Sequence, residues 1–439
     1  MSKQQIKQIR TVKHTRDILP RDFTTDTSAH SHKFQYVESV AREAFRRYGV
    51  QEIRTPIFEY TELFARGVGE ETDIVSKEMY TWRDLGANNT PGAGDSLTLR
   101  PENTASVIRA YIQHQMWQQS DMVKLFYVGP QFRREHGRKG RFRQFYQIGV
   151  EIIGKSDNPA IEAEVIEMLD WILSALKITN TTLLVNSVGC PKCRPQFNEK
   201  LKTEIAPRLA EMCGDCNRRY ETNILRILDC KHDVAIVAEL SSIQDVLCQE
   251  CRTHFADFCR HLDNRHLNIK YQVDPKLVRG IDYYTRTAFE IVTTSEDLGS
   301  QNALLGGGRY DGLSESLGGP PTKGFGFALG LDRFVMSLTE DVPDSSTPTV
   351  FIAHLGKEAF EFALLLVSRL RQAGVSCAMD FENRNLKNSM KLADRSKAKY
   401  ALIIGEEELT KGKFVLRDMG NREQLELTET ELLERLKAN

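Results

Sequence analysis

The sequence predicts an α+β protein with a separate small α/β domain towards its C-terminal end, and three observations carry that reading. Residues 125–153, LFYVGPQFRREHGRKGRFRQFYQIGVEII, read as two strands joined by a basic loop. Residues 190–266 are helical, highly charged and rich in cysteine, so they read as a module inserted into a larger fold. From residue 350 the chain alternates β-α-β-α-β, the rhythm of a self-contained α/β unit of about ninety residues.

Length and composition bound what such a chain does. Its 439 residues suffice for two or three domains, each with its own core. At 41% hydrophobic and 27% charged it has the makeup of an ordinary globular protein. A net charge of -1 gives no global pull towards nucleic acid, so any such binding must use local patches. The start, MSKQQIKQIRTVKH, has basic residues but no apolar run behind them, unlike a secretory signal. No apolar run approaches the ~20 residues that span a bilayer, so no membrane association is expected. Nine cysteines, an odd number, fit reduced thiols and a cytoplasmic location.

Taken in order, residues 31–49 place Phe34, Val37, Val40, Ala41, Ala44, Phe45 and Tyr48 at helical spacing, and Gly49 ends the helix. A strand over 50–58 follows, interrupted by Pro56, which lacks a donor and so suits an edge or an interface. A loop of small residues over 88–94 leads to SLTLRPENT, a short strand ending in a polar cluster. There Thr104 suits a cap for the helix predicted over 105–115, and Glu102 suits its positive end; neither role excludes a ligand.

In the hairpin, side chains alternate between faces. One face is ordinary core, while the other carries Arg133, Glu135, Arg141, Phe145, Gln147 and Glu151. Six cationic side chains between Arg133 and Arg143 suit a polyanion such as a nucleotide triphosphate or a nucleic-acid backbone. An edge hairpin guarded by charge has a similar pattern. Gln147 and Glu151, deep in the second strand, favour a site.

An amphipathic helix over 160–177 and a strand ending at 185–189 precede the insertion. Cys190/Cys193, Cys213/Cys216 and Cys248/Cys251 form three C-x2-C pairs, with Cys230, His254 and Cys259 nearby. That spacing suits structural Zn2+; thiols serving as small hydrophobes are the alternative. The pattern alone does not say which four sulfurs meet, so no metal ligand is assigned.

Beyond the insertion, LVRGIDYYTRTAFE brings a cation, a carboxylate and two phenols within six residues, enough to bind a small polar molecule by directed hydrogen bonds. GGGRYDG follows, with glycines that let backbone approach a ligand or merely permit turns. Residues 324–335, GFGFALGLDRFV, read as a glycine-rich strand entering a helix, with Arg333 placed for phosphate or for an internal salt bridge. Residues 339–349 read as a linker. In the last domain Arg384, Lys387, Lys391, Arg395, Lys397 and Lys399 make a solvated helix face or a surface for phosphates.

Together these stretches resemble a known family. FRRE before the basic loop and RFRQF after it resemble motif 2 of class II aminoacyl-tRNA synthetases, GFGFALGLDRF resembles motif 3, and the helix and strand ending at Pro56 resemble motif 1. LVRGIDYYT, LTLRPENT, GGGRYDGL and HTRDILP are similar to stretches of histidyl-tRNA synthetases, and the resemblance covers nearly the whole chain. It implies an antiparallel sheet flanked by helices, a homodimer, and a ligase that activates L-histidine with ATP and Mg2+ and transfers it to tRNA(His). The implied organisation is a catalytic domain in two parts, 1–189 and 267–338, split by the insertion 190–266, then the linker 339–349 and an anticodon-binding α/β domain, 350–439.

The resemblance also implies roles. Glu102, Asn103, Thr104, Gln147, Glu151, Tyr283 and Tyr284 would hold histidine, with Glu102 and Tyr284 at the imidazole and Gln147 and Glu151 at the amino group. Arg133 and Arg279 would bridge the carboxylate and the α-phosphate as catalytic groups. Arg133, Glu135, Arg141, Phe145 and Arg333 would engage ATP. Two departures stand out: Asn103 replaces a usual glycine, and His136, Gly137 and Arg138 replace the usual motif 2 loop, which implies a different reading of the tRNA acceptor end. A catalytically silent paralogue would lack Arg279 and the C-terminal domain, and a zinc-dependent nucleic-acid binder would leave Glu102, Tyr283 and Tyr284 without a purpose.

Overall fold

The computed structural model describes residues 8–86, 90–134, 140–294, 302–382 and 384–437. They form two compact units that divide between Val342 and Pro343. The larger contains β1 (Gln51–Glu52), β2 (Phe58–Tyr60), β3 (Tyr80–Arg83), β4 (Ser96–Leu99), β5 (Met122–Phe132), β6 (Gln144–Gly154), β7 (Thr181–Ser187), β8 (Lys270–Val273), β9 (Thr285–Thr293), β10 (Ala303–Arg309) and β11 (Lys323–Gly330). Eight of these form one sheet in the order β1-β5-β6-β11-β10-β9-β7-β8, and β2-β4-β3 form a smaller one. The five strands β5, β6, β11, β10 and β9 pair antiparallel in succession.

Strand alternation gives the large sheet two different faces. Phe126, Ile148, Val150, Ile152, Phe289, Ile291, Phe325 and Phe327 point to one side, where the helices Ser31–Arg47 and Pro159–Ala175 cover them with Phe34, Phe45, Ile166 and Leu169. On the other side lie Gln147, Gly149 and Glu151 of β6. The hairpin β5–β6 is interior to the sheet, so its charge does not guard an edge. It faces a cleft.

Differences from the expected elements have local causes. The strand expected over 50–58 stops at Glu52 and resumes at Phe58, because the chain between bends round Arg100, which donates to the carbonyls of Thr55 at 3.1 Å and Pro56 at 3.3 Å. The run GGGR is strand β10 rather than a turn. Within the inserted segment, Phe197, Leu201, Ile227, Ile243 and their neighbours build a separate apolar core. Its last helix, Gln249–Asp263, serves the main body as well: Phe258 and Leu262 join the large core, and the His254 ring lies 2.7 Å from Glu162.

The smaller unit is an α/β sheet of β12 (Val350–His354), β13 (Cys377–Met379), β14 (Tyr400–Ile404), β15 (Phe414–Asp418) and β16 (Gln424–Leu427). β12 is central and pairs parallel with β13 and β14; β15 and β16 add antiparallel. The helices Lys357–Gln372 and Glu429–Lys437 bury Leu366, Leu370, Leu432 and Leu436 against the sheet. Among the described residues no helix is long and apolar enough to cross a membrane.

Candidate active site

A cleft opens on the face of the large sheet opposite the helix-covered core, and it collects most of the unusual chemistry of the sequence. Its floor is made by register. Across four strands Glu151, Gly326, Gly308 and Ala288 stand side by side, and the next row is Gly149, Ala328, Gly306 and Glu290. Small residues at those positions leave room for large polar side chains to lie flat on the sheet. A Cβ added to Gly306 would run into the Arg279 guanidinium, one on Gly324 into the Tyr310 ring, and one on Gly326 into the Glu151 carboxylate. The glycine runs therefore hold side chains.

At the deep end Glu151 is 1% exposed. Its two oxygens accept from the hydroxyls of Thr104 and Tyr310, each at 2.6 Å. Burial, with the nearby Glu102 charge adding to it, pushes the Glu151 carboxyl up to about 8 despite those hydrogen bonds. Tyr283 and Tyr284 lie with ring centroids 4.7 Å apart, and Tyr310 meets Tyr283 edge-on at 5.7 Å. Burial also pushes the phenols of Tyr127, Tyr283, Tyr284 and Tyr310 above their ordinary range, so all four are neutral hydroxyls.

Glu102 sits both at a helix start and on the wall of the cleft. Its oxygens accept the backbone N–H groups of Thr104 at 2.7 Å and Ala105 at 3.0 Å, the first turn of the helix Thr104–Gln113. It also lines the cleft, on the side where Arg133 donates to the carbonyl of Pro101 at 2.9 Å. Burial raises its carboxyl above the usual range, while the two backbone donors and the Arg133 charge oppose that shift. Asn103 points away: its side-chain oxygen accepts from Thr55 at 2.8 Å, and it does not line the cleft. Unlike the other described residues expected to hold histidine, Asn103 is not brought to the cleft. With the backbone turned at the helix start, neighbouring side chains diverge.

Four cationic side chains line the cleft: Arg133, Arg141, Arg279 and Arg333. Arg279 lies over Gly306 and pairs with Glu290 at 2.5 Å. Burial is the largest influence and lowers its pKa, but the Glu290 charge and hydrogen bond together with the Tyr284 and Asp229 charges outweigh it, so the net shift is upward and the guanidinium stays charged. Arg133 sits 5.3 Å from the centre of the Phe145 ring. Arg333 donates to the carbonyl of Ala303 at 2.6 Å, which fixes it at the start of its helix. Its neighbour Asp332 binds Arg16 at 2.7 Å and accepts the N–H of Tyr146 at 2.9 Å, tying the N-terminal segment to the hairpin.

Of the expected site residues, Glu102, Thr104, Arg133, Arg141, Phe145, Gln147, Glu151, Arg279, Tyr283, Tyr284 and Arg333 share this one cleft. Glu135, with His136, Gly137 and Arg138, lies outside the described residues. Sequence reasoning missed Tyr310, quoted only for its glycine neighbours, and Glu290. The signal for Glu290 was a carboxylate inside the otherwise apolar strand TAFEIVT.

The family model described as "Histidyl-tRNA synthetase" matches residues 15–334, and one described as "Anticodon binding domain" matches 349–439. The histidine–tRNA ligase of Solibacter usitatus is 50% identical over 98% of this chain and 99% of that protein. That of Koribacter versatilis is 48% identical over 97% of this chain and 95% of its own. The crystal structure of apo S. aureus histidyl-tRNA synthetase covers 98% of this chain and 100% of that one, at 36% identity and a TM-score of 0.79.

Proposed function

The chain belongs to the histidyl-tRNA synthetase family and its activity is the ATP-dependent ligation of histidine to tRNA, and we propose that the cleft between Arg133, Arg279 and Glu151 is where histidine is activated. The observation that carries this reading is the juxtaposition of two guanidinium groups with a deep pocket of neutral phenols and protonatable carboxylates. Histidine's carboxylate must attack the α-phosphate of ATP, and both are anions. Arg133 and Arg279 cancel that repulsion and stabilise the charge that grows in the in-line transition state. Glu290 keeps Arg279 ionised and aimed. No protein nucleophile is required, since positioning supplies most of the rate.

The geometry favours exchanging two of the assignments implied by resemblance. Glu102 lies beside Arg133, near the reacting carboxylate, and so suits the α-ammonium together with Gln147 and Thr104. Glu151 lies with Tyr310 and Tyr284 at the far end and suits the imidazole, which projects away from the reacting atoms. Specificity then comes from buried polar groups that other amino acids leave unpaired. ATP enters as its magnesium complex, a co-substrate, with Phe145 offering a ring to adenine and Arg333 and Arg141 cations to the phosphates.

The homodimer implied by resemblance has a surface suited to it. Ile57, Phe58, Tyr60 and Trp82 are exposed on and beside the small sheet, and Phe58 and Trp82 lie 6.1 Å apart. An apolar patch of that kind is characteristic of an interface. In the smaller unit, Lys387, Lys391 and Arg395 stand exposed on and near the helix Leu386–Arg395, a cationic face for the anticodon arm of tRNA(His) in the cytoplasm. Histidine-dependent pyrophosphate exchange, followed by transfer of labelled histidine to tRNA(His), tests the whole reading; exchange with another amino acid at equal rate would reject it.

A further inference from the structure

The cysteines of the insertion have no part in this chemistry, yet seven of the eight converge on two points. We propose that the insertion holds two structural Zn2+ ions, one bound by Cys190, Cys193, Cys248 and Cys251 and the other by Cys213, Cys216, Cys230 and Asp233. In each group the four ligand atoms all lie within 4.8 Å of one another. The Sγ–Sγ distances include 3.7 Å for Cys190–Cys193, 3.9 Å for Cys190–Cys248 and 3.8 Å for Cys213–Cys230. Four sulfurs placed tetrahedrally about zinc, each ~2.3 Å from it, stand about 3.8 Å apart. A disulfide requires about 2.05 Å, so these are not bonded pairs.

Packing of thiols as small hydrophobes does not account for this arrangement. The first group joins two C-x2-C turns whose leading cysteines are 58 positions apart in the chain, and all four sulfurs turn towards one centre. Backbone donors then point at sulfur: Cys248 N–H to Cys193 Sγ at 3.2 Å, and the N–H groups of His232 and Asp233 to Cys230 Sγ at 3.4 and 3.3 Å. Such donors orient thiolates around a metal. In the second group a carboxylate completes the set, itself held by the Cys213 N–H at 3.1 Å. Three thiols and a carboxylate converging on one point make a closed ligand set that a divalent cation would complete, with the thiols losing their protons as it binds. Soft sulfur ligands in a closed four-ligand set select zinc over the hard cations.

The first site closes the insertion where it leaves β7 and where it rejoins the body. Arg194, next to Cys193, donates to the carbonyl oxygens of Tyr284 and Val188, so this clip also steadies the backbone of the candidate histidine pocket. Arg194 is a positioning residue in that arrangement.

The test is elemental analysis of the full chain, purified without chelators from zinc-supplemented culture. Two zinc ions per chain are expected, falling to one in the double variant C190S/C193S and to one in C213S/C216S. Cobalt substituted into the wild-type protein should give thiolate-to-metal charge-transfer bands of tetrahedral sites. If either variant fails to fold, stepwise zinc release from the wild-type chain on thiol titration, read with a chromogenic chelator, replaces it; two zinc ions must come off. One zinc per chain or none, iron in place of zinc, or unchanged zinc in both variants would overturn the proposal.

Discussion

Arg279 and Glu151 carry the sharpest consequences at the scale of single residues. Arg279→Gln keeps a hydrogen-bonding group over Gly306 but removes the charge proposed to meet substrate anions. Histidine-dependent pyrophosphate exchange should fall by about 10²-fold or more, the usual cost of losing one preorganised charge at the transition state. Thermal stability should change little, and near-normal exchange would remove Arg279 from the mechanism. For Glu151 the linkage has a definite sign. The unfolded chain loses this proton near 4.5 and the folded chain keeps it to about 8. Between those values the folded state binds more protons, so the contribution to stability is full below 4.5 and declines as pH rises towards 8. Glu151→Gln should abolish that decline, so the ligand-free variant should gain on the wild type between pH 5 and 8 by on the order of a few kcal/mol. A constant difference in melting temperature across that range would contradict the assignment. Glu102 and Glu151 were legible in the sequence as oddities in a helix start and in a strand. Asn103 was not, because the direction of a side chain at a helix start depends on backbone angles that residue types do not specify.

Among the elements, β10 and β11 show what pattern reading captures and what it loses. The run GFGFALG marked β11 as a glycine-rich strand entering a helix. What the glycines face depends on their partners across the sheet: the Arg279 side chain lies over Gly306 and Tyr310 over Gly324, contacts between residues distant in the chain. No local pattern encodes them. Gly306→Ala should therefore displace Arg279 and lower the rate of adenylate formation roughly tenfold or more, with the fold retained. Gly326→Ala meets the Glu151 carboxylate and the Val150 backbone carbonyl, so it should displace Glu151, raise KM for histidine and lower thermal stability. Steady-state kinetics separates the two, and a matched loss of kcat with unchanged KM in Gly326→Ala would contradict the placement of Glu151 in the pocket. The hairpin β5–β6 was legible in full. Its interior position was not, since a charged strand face looks the same at an edge and beside a ligand.

For the molecule as a whole, the two-part organisation follows from the change of rhythm near residue 340, and the division at Val342 and Pro343 reflects two separate cores. The insertion announced itself by composition, yet its last helix feeds Phe258 into the main core, a contact that charge and cysteine content conceal. The exposed Phe58 and Trp82 lead to a prediction about assembly: Phe58→Glu should shift the protein from dimer towards monomer in sedimentation, with loss of activity in parallel. A wild-type chain that sediments as a monomer would set that surface aside. A crystal structure with a non-hydrolysable histidyl-adenylate analogue would show how histidine and ATP lie relative to the two arginines. The imidazole is expected against Glu151 and Tyr284, the ammonium at Glu102 and Gln147, and the phosphate mimic between Arg133 and Arg279. An analogue bound elsewhere, or turned so that its imidazole meets Arg133, would contradict that placement.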